Sequence, residues 1–173
     1  MEVSRFTTRH PVTVSPEDTI ERAVELMEQH GFRHLPVREG DLFVGLLSDR
    51  DVMLGTGGHK LSELGLGQDE NVVNRVADIM SRALITVSAD ERAPTAAGRM
   101  VSQRVGALPV LEDGQPVGIV TETDLIKAFA DACRDPAVAD ELDVDLGSVM
   151  RPSTVSVRSD DTVADAVQQL TDW

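Results

Sequence analysis

The chain has 173 residues and a mass of 18.7 kDa, with 41% hydrophobic and 27% charged residues, a balance that supports a globular core. Sixteen Lys and Arg against thirty Asp and Glu leave a net charge of −14, which sets the surface against nucleic acid and anionic membrane. No apolar run approaches the ~20 residues a bilayer crossing needs, MEVSRFTTRH is no signal segment, and the single Cys133 permits no internal disulfide, so a cytoplasmic chain without nucleic-acid or membrane partners is expected.

From the N-terminus, β-branched Val12 to Val14 predicts a short strand, and Thr19 can cap a helix whose apolar stripe is Ile20, Ala23, Val24 and Met27. Gly31 ends that helix. Two strands follow, His34 to Val37 and Leu42 to Leu47, joined as a hairpin by Glu39, Gly40 and Asp41. A last helix opens at Ser48, with Val52, Met53 and Leu54 expected on its inward face. GTGGHKLSELGLGQDENVVN (55 to 74) reads as a linker. Its GTGGHK tract is not a phosphate loop, because His59 separates Gly58 from Lys60 and Leu61 follows. His30 and His34 are four apart, but Gly31 and the strand-like HLPV interrupt the helix that would bring them to one metal, so no metal site is expected.

The same series then recurs at an offset of 73. Residues 12 to 53 align without a gap with 85 to 126, and 12 of the 42 pairs are identical, where chance gives roughly one in sixteen. The chain is an internal duplication. VTVS matches ITVS, LPV matches LPV, and VGLLSDRD (44 to 51) matches VGIVTETD (117 to 124). In the second copy Ile85 to Val87 is the first strand, and Pro94 places the helix start near Arg92. The hairpin is Ala107 to Leu111 and Val117 to Val120 around Asp113 and Gly114, and the last helix, from Thr121, carries Leu125, Ile126 and Phe129. Each copy is β-α-β-β-α.

An acidic stretch, 130 to 145, is expected to extend the last helix as a connector. VSVRSDDTVADAVQQL (155 to 170) then repeats VTVSPEDTIERAVELM (12 to 27) as a third, incomplete copy without the LPV and VG elements. Its stripe, Val163, Ala166, Val167 and Leu170, is expected to lack a hairpin to cover it and to seek a partner, with Trp173 extending the patch. The expected organisation is repeat one over 1–55, a linker over 56–75, repeat two over 76–129, the connector over 130–145 and the partial repeat over 146–173. The fold class is α+β, two repeats packed around a pseudo-twofold axis plus a half repeat.

The element that can carry chemistry is the strand that delivers Ser48 or Thr121 to the start of a helix, with Asp51 or Asp124 three positions on. One reading is a capping box and nothing more. The other adds an anion site at the helix start and a carboxylate for a ribose diol. Gly45 and Gly118 leave room beside the strand for another backbone or a flat ring. Duplication around an axis brings both corners to a shared cleft, so paired sites are expected.

The ordered set VTVSPEDTIERAVELM, HLPV and VGLLSDRD, present twice, resembles the cystathionine-β-synthase (CBS) domain, and the tandem pair is similar to a Bateman module over residues 3 to 55 and 76 to 129. The resemblance implies clefts that bind AMP, ADP, ATP or S-adenosylmethionine as regulatory ligands, with no required cofactor and no catalysis. It makes Asp51 and Asp124 the ribose carboxylates and Ser48 and Thr121 the phosphate-side hydroxyls. Thr13, Val14, Ser15 and Pro16, with Thr86, Val87, Ser88 and Ala89, would offer backbone groups to the adenine edge, and Leu46, Leu47, Ile119 and Val120 would sandwich the base. The copies differ where Arg33, His34 and Arg50 face Gly106, Ala107 and Thr123. Phosphate is therefore expected at the Arg50 corner, and an uncharged adenosyl group, or nothing, at the Thr121 corner beside Glu122. The expected state is a homodimer. The competing reading is a protein-interaction or oligomerisation module with empty clefts.

Overall fold

The computed structural model describes residues 1–56, 74–134 and 156–171. Met1–Asp131 forms one compact unit and Ala132–Trp173 a second. In chain order, the first unit contains a 3-10 turn at Val3–Arg5, β1 (Thr8–Arg9), α1 (Ile20–His30), β2 (His34–Glu39), β3 (Leu42–Ser48) and α2 (Asp49–Gly55). After the linker come α3 (Val76–Ile79), β4 (Val87–Ser88), α4 (Ala93–Gln103), β5 (Ala107–Glu112), β6 (Gln115–Thr121) and α5 (Glu122–Ala132).

Local chemistry sets the element ends. Thr19 accepts the Arg22 N–H at 3.1 Å to start α1, and Gly31 ends it at φ 67°, a left-handed conformation that costs glycine little. Pro94 sits in the first turn of α4, where its missing N–H costs no helical hydrogen bond. The hairpin β5–β6 turns through Asp113 and Gly114, both at positive φ. The strands expected at Val12 to Val14 and Ile85 to Val87 are shorter than read: Val14 makes one parallel bridge to Val37, and β4 pairs with β5 only through Val87 and Ser88.

Each repeat closes its own core. Val14, Ile20, Ala23, Met27, Leu35, Val37 and Leu47 form one cluster, and Val87, Ala96, Met100, Leu108, Val110 and Val120 the other. The segments preceding the repeats cross over, however. Val3, wholly buried, belongs to the second core, while Val76 and Met80 belong to the first. The backbone repeats this exchange at the offset of 73: Val3 N–H donates to Glu91 O as Val76 N–H donates to Asp18 O, and Ser4 N–H to Ala89 O as Ala77 N–H to Pro16 O. β1 accordingly adds to the edge of β6, giving the sheet order β1-β6-β5-β4, and Ser81 bridges Leu46 beside β3. Gly45 and Gly118 admit these arms. A Cβ on Gly118 would collide with the Thr8 carbonyl oxygen, and one on Gly45 would lie 2.6 Å from Met80 Sδ.

The inward face expected for the last helices needs correction. Val52 is buried and Leu125 packs against the second core, but Met53, Leu54, Ile126 and Phe129 are exposed. Adjacent helical positions diverge by about 100°, which turns Met53 and Ile126 away from the face of Val52 and Leu125, whereas Phe129, one turn beyond Leu125, shares its face and is exposed. In the second unit α6 (Val163–Thr171) is capped by Thr162, whose Oγ1 accepts the Asp165 N–H at 3.2 Å and donates to Asp165 Oδ2 at 2.6 Å. Val163 on its stripe is exposed. The GTGGHK tract beyond Thr56, most of the acidic connector, Val167 and Leu170 as side chains, and Trp173 lie outside the described residues. Among the described residues no helix is long and apolar enough to cross a membrane.

Candidate functional site

Ser48 and Thr121 end the inner strands β3 and β6, which meet between the repeats. At each corner the backbone N–H of the hydroxyl residue donates to the aspartate Oδ2, at 2.8 Å for Asp51 and 2.9 Å for Asp124. The hydroxyls donate to the same oxygens at 2.6 and 2.7 Å, and the aspartate N–H groups return to the hydroxyls at 3.2 and 3.3 Å. These are full capping boxes. Every hydrogen bond that these carboxylates accept from the described residues uses Oδ2, so Oδ1 of each is the atom that can take a sugar hydroxyl. In this structure each hydroxyl is bonded to its aspartate, an arrangement that orients the carboxylate.

Two cavities open at these corners, and most of their lining residues correspond at the offset of 73. The first, about 480 Å³, is lined by Leu46, Ser48 and Asp51 of repeat one and by Leu84, Ile85 and Pro109 of repeat two. The second, about 320 Å³, is lined by Ile119, Thr121 and Asp124 of repeat two and by Pro11, Val12 and Pro36 of repeat one. Each repeat thus supplies the carboxylate of one cavity and the apolar wall of the other.

Several expected residues lie elsewhere. Leu47 and Val120 are wholly buried in the two cores, because strand alternation turns Leu46 and Ile119 toward the cavities and their neighbours away. Thr13, Val14, Ser15 and Pro16, and Thr86, Val87, Ser88 and Ala89, line neither cavity. Many of their backbone groups are already bonded: Val14 N–H to Pro36 O, Ser15 N–H to Asp18, Ser88 N–H to Glu91 and Ala89 N–H to Leu111 O. The residues just before them, Pro11 and Val12 or Leu84 and Ile85, form the wall instead. Their proximity to VTVS and ITVS was the available signal.

Charge is also distributed differently. Arg33, Arg50 and Arg104 line the first cavity together with Asp49, Asp51 and Glu122, three cations facing three carboxylates. The second holds Arg33 and Lys127 with Asp124 alone. Lys127, not singled out from sequence, stands one turn after Asp124, where repeat one has the exposed Leu54. The Arg50 corner is therefore not the sole source of cations, and Glu122 faces the opposite cavity from the one expected.

Arg33, His34 and Gly106 border both cavities. Asp49 N–H donates to Arg33 O and Glu122 N–H to Gly106 O, both at 3.0 Å, which ties each strand entry to its own helix start. His34 leans on Gly106, where a Cβ would come within 3.0 Å of its Cε1. Burial holds the His34 pKa below 6.5, opposed by Asp49 and reinforced by Arg33. The unfolded chain then binds the proton more readily. His34 contributes stability that is fully present above pH 6.5 and is lost as pH falls from there through the folded-state value. Denaturant midpoints measured from pH 8 to pH 5 should show that loss, and His34→Gln should flatten it; an unchanged slope in the variant would remove His34 as its source. Among the described residues no three His, Cys, Asp or Glu side chains gather for a metal.

A family model described as CBS domain matches residues 3–55 and 76–131. The inosine-5′-monophosphate dehydrogenase of Korarchaeum cryptofilum is 36% identical over 121 residues, which cover 69% of this chain but 22% of that protein. The CBS domain-containing protein YhcV of Bacillus subtilis is 31% identical over 118 residues, covering 68% of this chain and 78% of that one. Among solved structures, the CBS domain pair of protein MJ0100 in complex with 5′-methylthioadenosine and S-adenosyl-L-methionine aligns with a TM-score of 0.62 and 24% identity, over 76% of this chain and 97% of that one. CBSX2 in complex with AMP aligns at 0.64 and 22% identity, over 75% and 97%. At these identities the two structures share the fold.

Proposed function

We propose, on the premise that this chain belongs to the CBS-domain family, that its two repeats form a regulatory module binding adenosyl ligands such as AMP, ADP, ATP or S-adenosylmethionine between them. The observation that carries the reading is the pair of cavities, each with a capped aspartate whose Oδ1 is uncommitted and a wall from the opposite repeat. A ribose diol fits a carboxylate oxygen held rigid by its own cap, and Leu46 with Pro109, or Ile119 with Pro36, offers apolar surface to a base. The ligands named in the MJ0100 and CBSX2 structures are of this class. Because each cavity spans both repeats, a bound ligand favours one packing of the pair over another, which is what sensing requires. The role is binding without bond-making, and a cytoplasmic place fits a single cysteine, Cys133, that permits no internal disulfide.

A second reading, an interaction module with empty clefts, draws on the exposed Met53, Leu54, Ile126 and Phe129 of α2 and α5. Met53 and Ile126 are equivalent across the repeats, and a homodimer through these helices would cover both. One experiment separates the readings. Thermal unfolding with AMP, ATP or S-adenosylmethionine at a hundred times Kd should gain about 2.7 kcal/mol, whereas a midpoint that moves only with protein concentration favours the interaction reading.

A further inference from the structure

Arg33 is the one arginine bordering both cavities, and what surrounds it differs on the two sides. In the first cavity Arg50 and Arg104 add two cations, but Asp49, Asp51 and Glu122 offset all three positive charges, leaving a phosphate no net attraction. In the second, Lys127 joins Arg33 against Asp124 alone, an excess of one positive charge where the first has none. Neither Arg33 nor Lys127 is held in an ion pair by another side chain among the described residues. Their charges are therefore available to a ligand. On a body carrying −14, that local excess decides where a dianion settles.

We propose that the chain binds one phosphorylated nucleoside and not two, in the cavity of Thr121 and Asp124 with Arg33 and Lys127 on its phosphate, and that the cavity of Ser48 and Asp51 takes a nucleoside or zwitterionic adenosyl ligand without net negative charge. This rests on the reading of the cavities as adenosyl pockets and specifies which ligand each admits. Occupation of the second cavity by a phosphate also draws Arg33 to that side and leaves the first with an excess of carboxylates. A second phosphorylated ligand is excluded on electrostatic grounds.

Isothermal titration of the full chain tests this with AMP and adenosine as probes. AMP should bind at one per chain, and adenosine should still bind once when AMP is saturating. Lys127→Gln should weaken AMP at least tenfold and adenosine less than twofold. Two AMP sites of equal affinity, or equal losses of AMP and adenosine in the variant, would overturn the charge assignment while leaving the pockets in place. Failure of both probes to bind the wild-type chain would overturn the pocket reading and this inference with it.

Discussion

A chain carrying Val3→Asp should lose its second repeat first, although residue 3 precedes the first. Val3 is wholly buried among Val87, Ala96, Met100 and Leu108, so the substitution removes a valine from a packed core and puts a carboxylate there with no partner. Loss of the apolar burial alone costs about 1.5 kcal/mol or more, and an unpaired polar group in such a site brings the total to about 3 kcal/mol or above. Hydrogen exchange should report loss of protection in β5, β6 and α4 before β2 and β3. Val76→Asp is the mirror experiment, since Val76 is wholly buried in the first core, and it should expose β2, β3 and α1 first. If each variant instead loosened the repeat that follows it in sequence, the exchange of arms would be wrong.

The second large effect is on binding. Asp124→Ala and Asp51→Ala each remove the carboxylate half of a capping box, keeping the backbone N–H to the hydroxyl, together with the carboxylate oxygen proposed for the ribose. Losing those hydrogen bonds should cost about 1 kcal/mol of stability. Losing a charged hydrogen-bond partner of the ligand should cost a further ~1.5–3 kcal/mol of binding, roughly tenfold to a hundredfold in Kd. Asp165→Ala supplies the comparison, because Thr162 and Asp165 make the same cap on α6. It should lower helicity and leave adenosine affinity untouched. Were Asp51→Ala and Asp124→Ala also to destabilise the fold with no change in affinity for adenosine or AMP, the carboxylates would be caps only.

That threefold recurrence marks the limit of what a motif conveys. A hydroxyl residue with an aspartate three positions later closes its hydrogen bonds within four residues, so the same motif starts a helix at Ser48, Thr121 and Thr162 but only a turn at Ser15. Whether a free carboxylate oxygen meets a cavity depends on what stands opposite, and for Asp51 and Asp124 that is supplied by residues far along the chain, such as Leu84, 33 positions from Asp51, and Pro36, 88 from Asp124. The alternation of β3 and β6 is legible in the sequence, but which register faces the core is not, and of the four expected wall residues Leu46 and Ile119 line the cavities while Leu47 and Val120 are buried in the cores. Lys127 has Leu54 at its equivalent position, so no cation recurs there between the copies, whereas Arg50 against Thr123 is a charge difference within the motif itself.

The sequence by itself determined the duplication, the β-α-β-β-α order, the caps at Thr19, Ser48 and Thr121, the turns at Gly31 and Gly114, and the pairing of the two strand-to-helix corners, all of which follow from local stereochemistry or from comparing one stretch of chain with another. Only the tertiary structure decided that the arms before the repeats are exchanged, that each cavity draws on both repeats, that Met53 and Ile126 face outward, and that Arg33 is common to two pockets. Those features depend on burial and charge between segments distant along the chain, and no window of neighbouring residues contains both members of such a pair.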